Sequence, residues 1–211
     1  MIEIRNLNIE FEDEIIFKNF NINIEKGDKL AIMGDSGRGK STLLNLLAGF
    51  IPDFDGNIKV DGIELNSENI REIRTKISWL PQDLALNIET VEDLFYFPFN
   101  FSINKEKLPS KDKVLEIFSE FELPHKLLKK NTKDISGGQK QRILIASCLM
   151  LKKDILILDE PTSALDNRIK RKISDYILSQ RELTVLAVTH DEYWIDKSQK
   201  VLNLNELDKN R

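Results

Sequence analysis

At 211 residues with 41% hydrophobic side chains, the chain has the size of one compact domain and enough apolar mass to build a core unaided. A formal net charge of -4 supplies no global basic field, which excludes nonspecific capture of DNA or RNA as the expected activity. The single cysteine, Cys148, excludes an internal disulfide, gives no sign of an oxidising compartment, and reads as core packing within an apolar stretch.

Charges recur every few residues from Met1 to Glu12, so the start lacks the apolar block of a signal peptide. Short strands are predicted at Ile2 to Arg5 and Ile15 to Ile24, with a turn at Lys26-Gly27-Asp28, and together they read as an antiparallel edge sheet. Lys29 to Met33 is a short apolar strand, followed by a glycine-rich loop and then by Leu43, Leu44, Leu46 and Leu47 at helical spacing. Asp55-Gly56 and Asp61-Gly62 flank Asn57 to Val60 as in a hairpin, and Ile77 to Leu80 is another strand before Pro81. From Asp83 to about Leu151 the pattern turns helical, with Leu115, Ile117, Phe118 and Phe121 on one face. This stretch reads as an inserted subdomain. Its longest mostly apolar run, Ile143 to Leu151, is far short of the roughly 20 residues that span a bilayer, so a membrane role is expected only through a partner. Buried parallel strands follow at Ile155 to Leu158 and Thr184 to Thr189, separated by a helix from about Asn167 to Ser179.

Two of these junctions carry chemistry. Gly34-Asp35-Ser36-Gly37-Arg38-Gly39-Lys40-Ser41, with Thr42 next, matches G-x-x-x-x-G-K-[ST] between a predicted strand and a predicted helix. Its glycines let backbone N–H groups converge, and the helix start adds partial positive charge toward phosphates. Lys40 is expected to reach the β- and γ-phosphates, and Ser41 to place its hydroxyl on Mg²⁺. At the second junction, Ile155 to Leu158 runs directly into Asp159-Glu160 at the ligand-binding edge of the sheet. Asp159 suits the Mg²⁺ shell, and Glu160 suits the polarising of an attacking water. His190 ends the next strand, where parallel register would bring it beside the γ-phosphate, whereas His125 reads as a surface residue.

Ser136-Gly137-Gly138-Gln139, after Ile135 and before Gln141-Arg142, resembles the signature sequence of ATP-binding cassette (ABC) ATPases, whose usual form begins with leucine. The likeness extends to Asp159-Glu160-Pro161-Thr162-Ser163-Ala164-Leu165-Asp166 as Walker B and D-loop, to His190 as the switch histidine, and to Gln82 as the Q-loop residue serving metal and catalysis. Departures are Asp35, where proline is common, and Ser147-Cys148, where arginine and alanine are common. Membership would imply an α/β P-loop (RecA-like) core with a mixed sheet over about 1–82 and 152–211, an N-terminal antiparallel β subdomain and an α-helical signature subdomain over about 83–151. It would also imply ATP and Mg²⁺ as ligands and a head-to-tail pair of chains, each P-loop facing the partner's signature, with Asp166 communicating across the interface. Separate transmembrane permease subunits would complete the assembly on the cytoplasmic face of the membrane. Phe11 either stacks on adenine or packs in the core, and Phe95-Tyr96-Phe97-Pro98-Phe99-Asn100-Phe101 forms either a docking groove or the subdomain's core. Thr90 to Asn104 and Phe121 to Arg142 resemble the ATP-binding subunits of iron-efflux systems. The competing expectation is a soluble, non-transport ABC ATPase, as in iron–sulfur cluster assembly.

Overall fold

The computed structural model describes residues 1–11, 14–82 and 87–210. Asp83, where the helical stretch was expected to begin, lies outside the described residues.

Strand β1 (Ile2–Phe11) runs well past Arg5 and pairs antiparallel with β2 (Glu14–Ile24). The extra length survives two backbone irregularities, because asparagine side chains replace the missing ladder bonds. Asn6 and Asn19 have φ of 52° and 50°. The Asn6 N–H donates to Asn21 Oδ1 and the Asn19 N–H to Asn8 Oδ1, both at 2.9 Å. Next come β3 (Lys29–Met33) and, after the glycine-rich loop, α1 (Lys40–Leu47). Strand β4 (Asp55–Val60) pairs with the other side of β1 and turns into β5 (Ile63–Glu64). The turn residues Asp61 and Gly62 have φ of 55° and 79°, the positive values that a tight hairpin requires. Helix α2 (Ile70–Lys76) leads into β6 (Ile77–Leu80).

The region that follows is helical but broken into short pieces. Helix α3 (Val91–Tyr96) is capped by Thr90, 3₁₀ turns occupy Phe97–Asn100 and Ser102–Lys107, and α4 (Lys111–Glu120) follows. Pro98 explains the change of winding, since its ring cannot continue an α-helix from the preceding turn. Val114, rather than Leu115, joins Ile117 and Phe118 on the buried face of α4. Helix α5 (Gly137–Met150) buries Cys148, whose thiol is pushed up to about 11 by desolvation and is therefore inert. Phe95 and Phe99 of the aromatic run are buried, while Phe101 is 53% exposed, so this segment supplies core and surface together.

Strand β7 (Ile155–Asp159), α6 (Asn167–Leu178), β8 (Thr184–Val188), α7 (Glu192–Lys197) and β9 (Lys200–Asn203) complete the chain before a 3₁₀ segment, Leu204–Asn210. Among the described strands, the mixed character expected of the core lies between two sheets rather than within one. The order β2-β1-β4-β5 is antiparallel, and the order β6-β7-β8-β3-β9 is parallel. Short turns join the antiparallel strands, while longer crossovers join the parallel ones. Side chains of the parallel strands alternate between two cores: Leu30, Ile32, Ile155, Ile157, Leu186 and Val188 share one with α1, α2 and the antiparallel sheet, and Ala31, Leu156, Leu158, Val185 and Ala187 share the other with the later helices. Burial on both faces accounts for strands that read as continuous apolar runs.

Candidate active site

The parallel register of β7, β8 and β3 delivers their C-terminal ends to one edge, so that Asp159, Glu160, His190 and the glycine-rich loop meet there. They line a cleft of about 440 Å³ together with Gln82. Ser36, Gly37, Gly39, Lys40, Ser41 and Thr42 form the loop side of this cleft. Gly34, Asp35 and Arg38 do not line it.

Two glycines shape the loop. Gly37 and Gly39 have φ of 81° and 83°, and a Cβ on Gly39 would fall 2.5 Å from Ile16 Cγ2 of β2. The Lys40 ammonium donates to the carbonyls of Gly34 (2.6 Å) and Asp35 (2.8 Å), folding the loop around its own cation. The Ser41 hydroxyl donates to Asp159 Oδ2 at 3.1 Å, which joins the start of α1 to the end of β7. Glu160 is mostly shielded and sits at φ 50°, with Oε1 3.6 Å from His190 Nε2. Burial raises the Glu160 carboxyl above its ordinary range, and the neighbouring His190 opposes that rise.

The serine–carboxylate pair is a set of hard oxygens suited to Mg²⁺. Among the described residues no cluster of three or more His, Cys, Asp or Glu side chains is available for a metal, so a cation here would complete its shell with phosphate and water oxygens, as Mg²⁺ does at nucleotide sites.

Ser136 to Gln139 lies elsewhere, outside that cleft, at the start of α5. The Gln139 N–H donates to Ser136 Oγ at 3.2 Å and the Ser136 N–H to Gln139 Oε1 at 3.0 Å, a reciprocal cap that leaves Ser136 and Gly137 at the surface. Gly138 faces the loop after Glu160 so closely that a Cβ would meet Ala164 O at 2.8 Å. Asp166 caps α6, its Oδ1 accepting from the N–H groups of Arg168 and Ile169, both at 3.1 Å. Phe11 is 45% exposed at the end of β1, which removes the core-packing alternative; it does not line the cleft.

Several participants escaped the sequence reading. Ser163 and Val188 also line the cleft. Asn205 Oδ1 accepts the Asp35 N–H at 3.0 Å, holding the glycine-rich loop from the 3₁₀ segment near the end of the chain. Arg142 donates to Gly138 O (3.2 Å), Phe121 O (2.8 Å) and Glu122 O (3.0 Å), and Glu122 in turn accepts both guanidinium nitrogens of Arg168 on α6. Gln141 and Arg142 stood beside the signature with no role attached; Asn205 had no pattern around it to mark it.

Residues 17–163 match the family model described as "ABC transporter". The probable iron export ATP-binding protein FetA of Escherichia coli (strain K12) is 32% identical over 207 residues, covering 97% of this chain and 91% of that one. The energy-coupling factor transporter ATP-binding protein EcfA1 of Mycoplasma pneumoniae is 34% identical over 196 residues, covering 90% and 70%. Among solved structures, a dimeric post-hydrolysis state of an ATP-binding cassette bound to ADP and Pi superposes with a TM-score of 0.81 at 28% identity, covering 96% of this chain and 94% of that one.

Proposed function

The chain belongs to the ABC transporter family of ATP-binding, ATP-hydrolysing proteins, and from that premise we propose that two copies close head to tail around two MgATP and drive separate membrane subunits. The observation that carries this reading is a separation. The loop, Asp159, Glu160 and His190 converge on one cleft, while the capped start of α5 leaves Ser136 and Gly137 exposed and outside its lining. A helix N-terminus with exposed donors that does not line its own chain's cleft suits the γ-phosphate held by a second copy.

Within each cleft, Lys40 moves from the loop carbonyls to the β- and γ-phosphates, and the N–H groups of the glycine-rich loop, from Gly34 through Thr42, orient the same groups. Ser41 and Asp159, with Gln82 nearby, would hold Mg²⁺, which when bound neutralises charge on the phosphate oxygens. Glu160 takes a hydrogen bond from the attacking water and aligns it for in-line displacement; its raised proton affinity, from burial, makes it a better acceptor. His190 holds the far side of the γ-phosphate. Phe11 stacks on adenine, and Asp166 meets the partner. We assign about 1–82 and 152–211 to the catalytic core and about 83–151 to the subdomain that carries the signature. Among the described residues no helix is long and apolar enough to cross a membrane, and the likeness to transporter ATP-binding subunits supports coupling through separate permease subunits, with the chain peripheral on the cytoplasmic face.

The likeness to FetA supports metal export as the cargo class, and the likeness to EcfA1 keeps other transported solutes in view. The test is purification of the Glu160→Gln chain with MgATP from native membranes. An ATP-dependent dimer carrying a polytopic membrane protein is expected. Recovery of soluble proteins alone would favour the assembly-factor alternative instead.

A further inference from the structure

Glu160 adopts a backbone conformation that a glutamate seldom holds, φ 50°, immediately after a buried strand. Such a residue persists only where its surroundings fix it. Its N–H donates to Val188 O at 2.9 Å, which ties it to β8. Its carbonyl accepts from the Ser163 N–H (3.3 Å), the Ser163 hydroxyl (3.0 Å) and Gln141 Nε2 (3.1 Å). Ser163 belongs to the same turn and moves with it. Gln141 belongs to α5, five residues beyond the Ser136 cap, and its amide reaches across to the turn. The same helix also touches that turn at Gly138, where the approach to Ala164 O leaves no room for a side chain. The first two turns of α5 and the Glu160 turn thus form one mechanical unit.

We infer that Gln141 is a positioning residue: it holds the Glu160 backbone, and so the aim of its carboxylate, and links that base to the helix whose start carries Ser136. The linkage between the two nucleotides rests on the paired reading given above. When Ser136 of one copy engages the other copy's phosphate, the shift of α5 is delivered through Gln141 to the base of its own cleft. Binding at one site then sets hydrolysis at the other.

Gln141→Met tests the role, because methionine keeps the length and the helix preference and lacks the donor. In the full chain with MgATP, kcat should fall about 10-fold while KM for ATP stays within about 2-fold, the signature of a contact felt in the chemical step rather than in binding. Gln141→Asn keeps the amide but is one methylene too short, and the same loss is expected. In a Glu160→Gln background, adding Gln141→Met should leave the residual single-turnover rate unchanged, since Gln141 acts through the carboxylate already removed. The inference is overturned by wild-type kcat in both single variants, by a further loss in the double variant, or by melting curves showing that both single variants fail to fold, which would make Gln141 a brace. The paired reading fails separately: a Glu160→Gln chain that stays monomeric in MgATP would remove the cross-site linkage while leaving the single-site rates to decide the role of Gln141.

Discussion

Gly137 and Gly138 are adjacent in α5 and opposite in what an added methyl would meet. At Gly137 nothing lies within 4 Å; at Gly138 the new Cβ would stand 2.8 Å from Ala164 O, about 0.6 Å inside the 3.4 Å where ordinary contact begins. The opposing atom is a backbone carbonyl, with no rotamer to swing away. Alanine gains about 0.8–1 kcal/mol over glycine within a helix, less in the first turn, whereas over-packing costs about 1–3 kcal/mol. The clash therefore wins at Gly138, with a net loss of about 0–2 kcal/mol, and the propensity gain stands unopposed at Gly137. For a domain of this size each kcal/mol moves Tm by about 2–4 °C. Thermal melts of the two alanine variants should fall on opposite sides of wild type, Gly137→Ala higher and Gly138→Ala lower. On the proposed pairing, Gly138→Ala should also lose about 10-fold or more in MgATP hydrolysis, because moving the start of α5 by about half an ångström would displace Ser136 from the partner-held phosphate that the proposal gives it. A Gly138→Ala chain that melts at or above Gly137→Ala would refute the reasoning.

Other perturbations read other parts of the molecule. Lys40→Ala removes both the loop's internal cation and the charge offered to phosphates, and ATP affinity by titration calorimetry should drop about 10- to 100-fold; unchanged affinity would contradict its assignment. Arg168 holds the Glu122 carboxyl down at about 2 from its ordinary 4.5. The native state thus favours the charged form, so the stability this contact adds is full above the ordinary value and drains away as pH falls from 4.5 through about 2. The Tm difference between wild type and Glu122→Gln should narrow across that window, and a constant difference would show the ion pair to be idle. Lys29 is buried and its ammonium serves the carbonyls of Gly27, Gln180 and Leu183. Lys29→Met strands all three, for a loss of about 2–4 kcal/mol in urea unfolding; a stability equal to wild type would mean that water replaces the amine at no cost.

The sequence was most informative where one physical demand dominates a segment. Strands buried on both faces are predominantly apolar, and β3, β6, β7 and β8 were legible within a residue at either end for that reason. A phosphate loop needs glycines and a lysine at fixed spacing, so Gly34 to Ser41 announced itself. The first strand was predicted only as far as Arg5; the side chain of Asn21, across the sheet, bridges to the Asn6 N–H and lets it run on. Strand β9 was missed because edge position lets Lys200 and Val201 stay exposed, and its pairing with β3 has no local trace. Gln141 and Asn205 were invisible as holders of the site for the same reason: each acts on a backbone group 19 or 170 residues away. Tertiary reach of that kind leaves no periodicity in the chain. Phe11 illustrates the converse, since aromatic composition alone could not say whether its face would be covered.

The strand that carries the glycine-rich loop sits between β8 and β9. Its hydrogen-bonding partners, Val185 to Val188 and Lys200 to Asn203, are separated from it by most of the chain. A polypeptide emerging from the ribosome therefore displays Gly34 to Ser41 early but has no strand to pair β3 with until Thr184–Val188 has been made. The antiparallel sheet, whose strands all precede Leu65, has its partners available long before. The pairing of β3 in the sheet therefore depends on residues that the ribosome adds late. A chain truncated before Thr184 loses β8 from both the sheet and the shared core, and it should lack ATP affinity in an equilibrium binding assay.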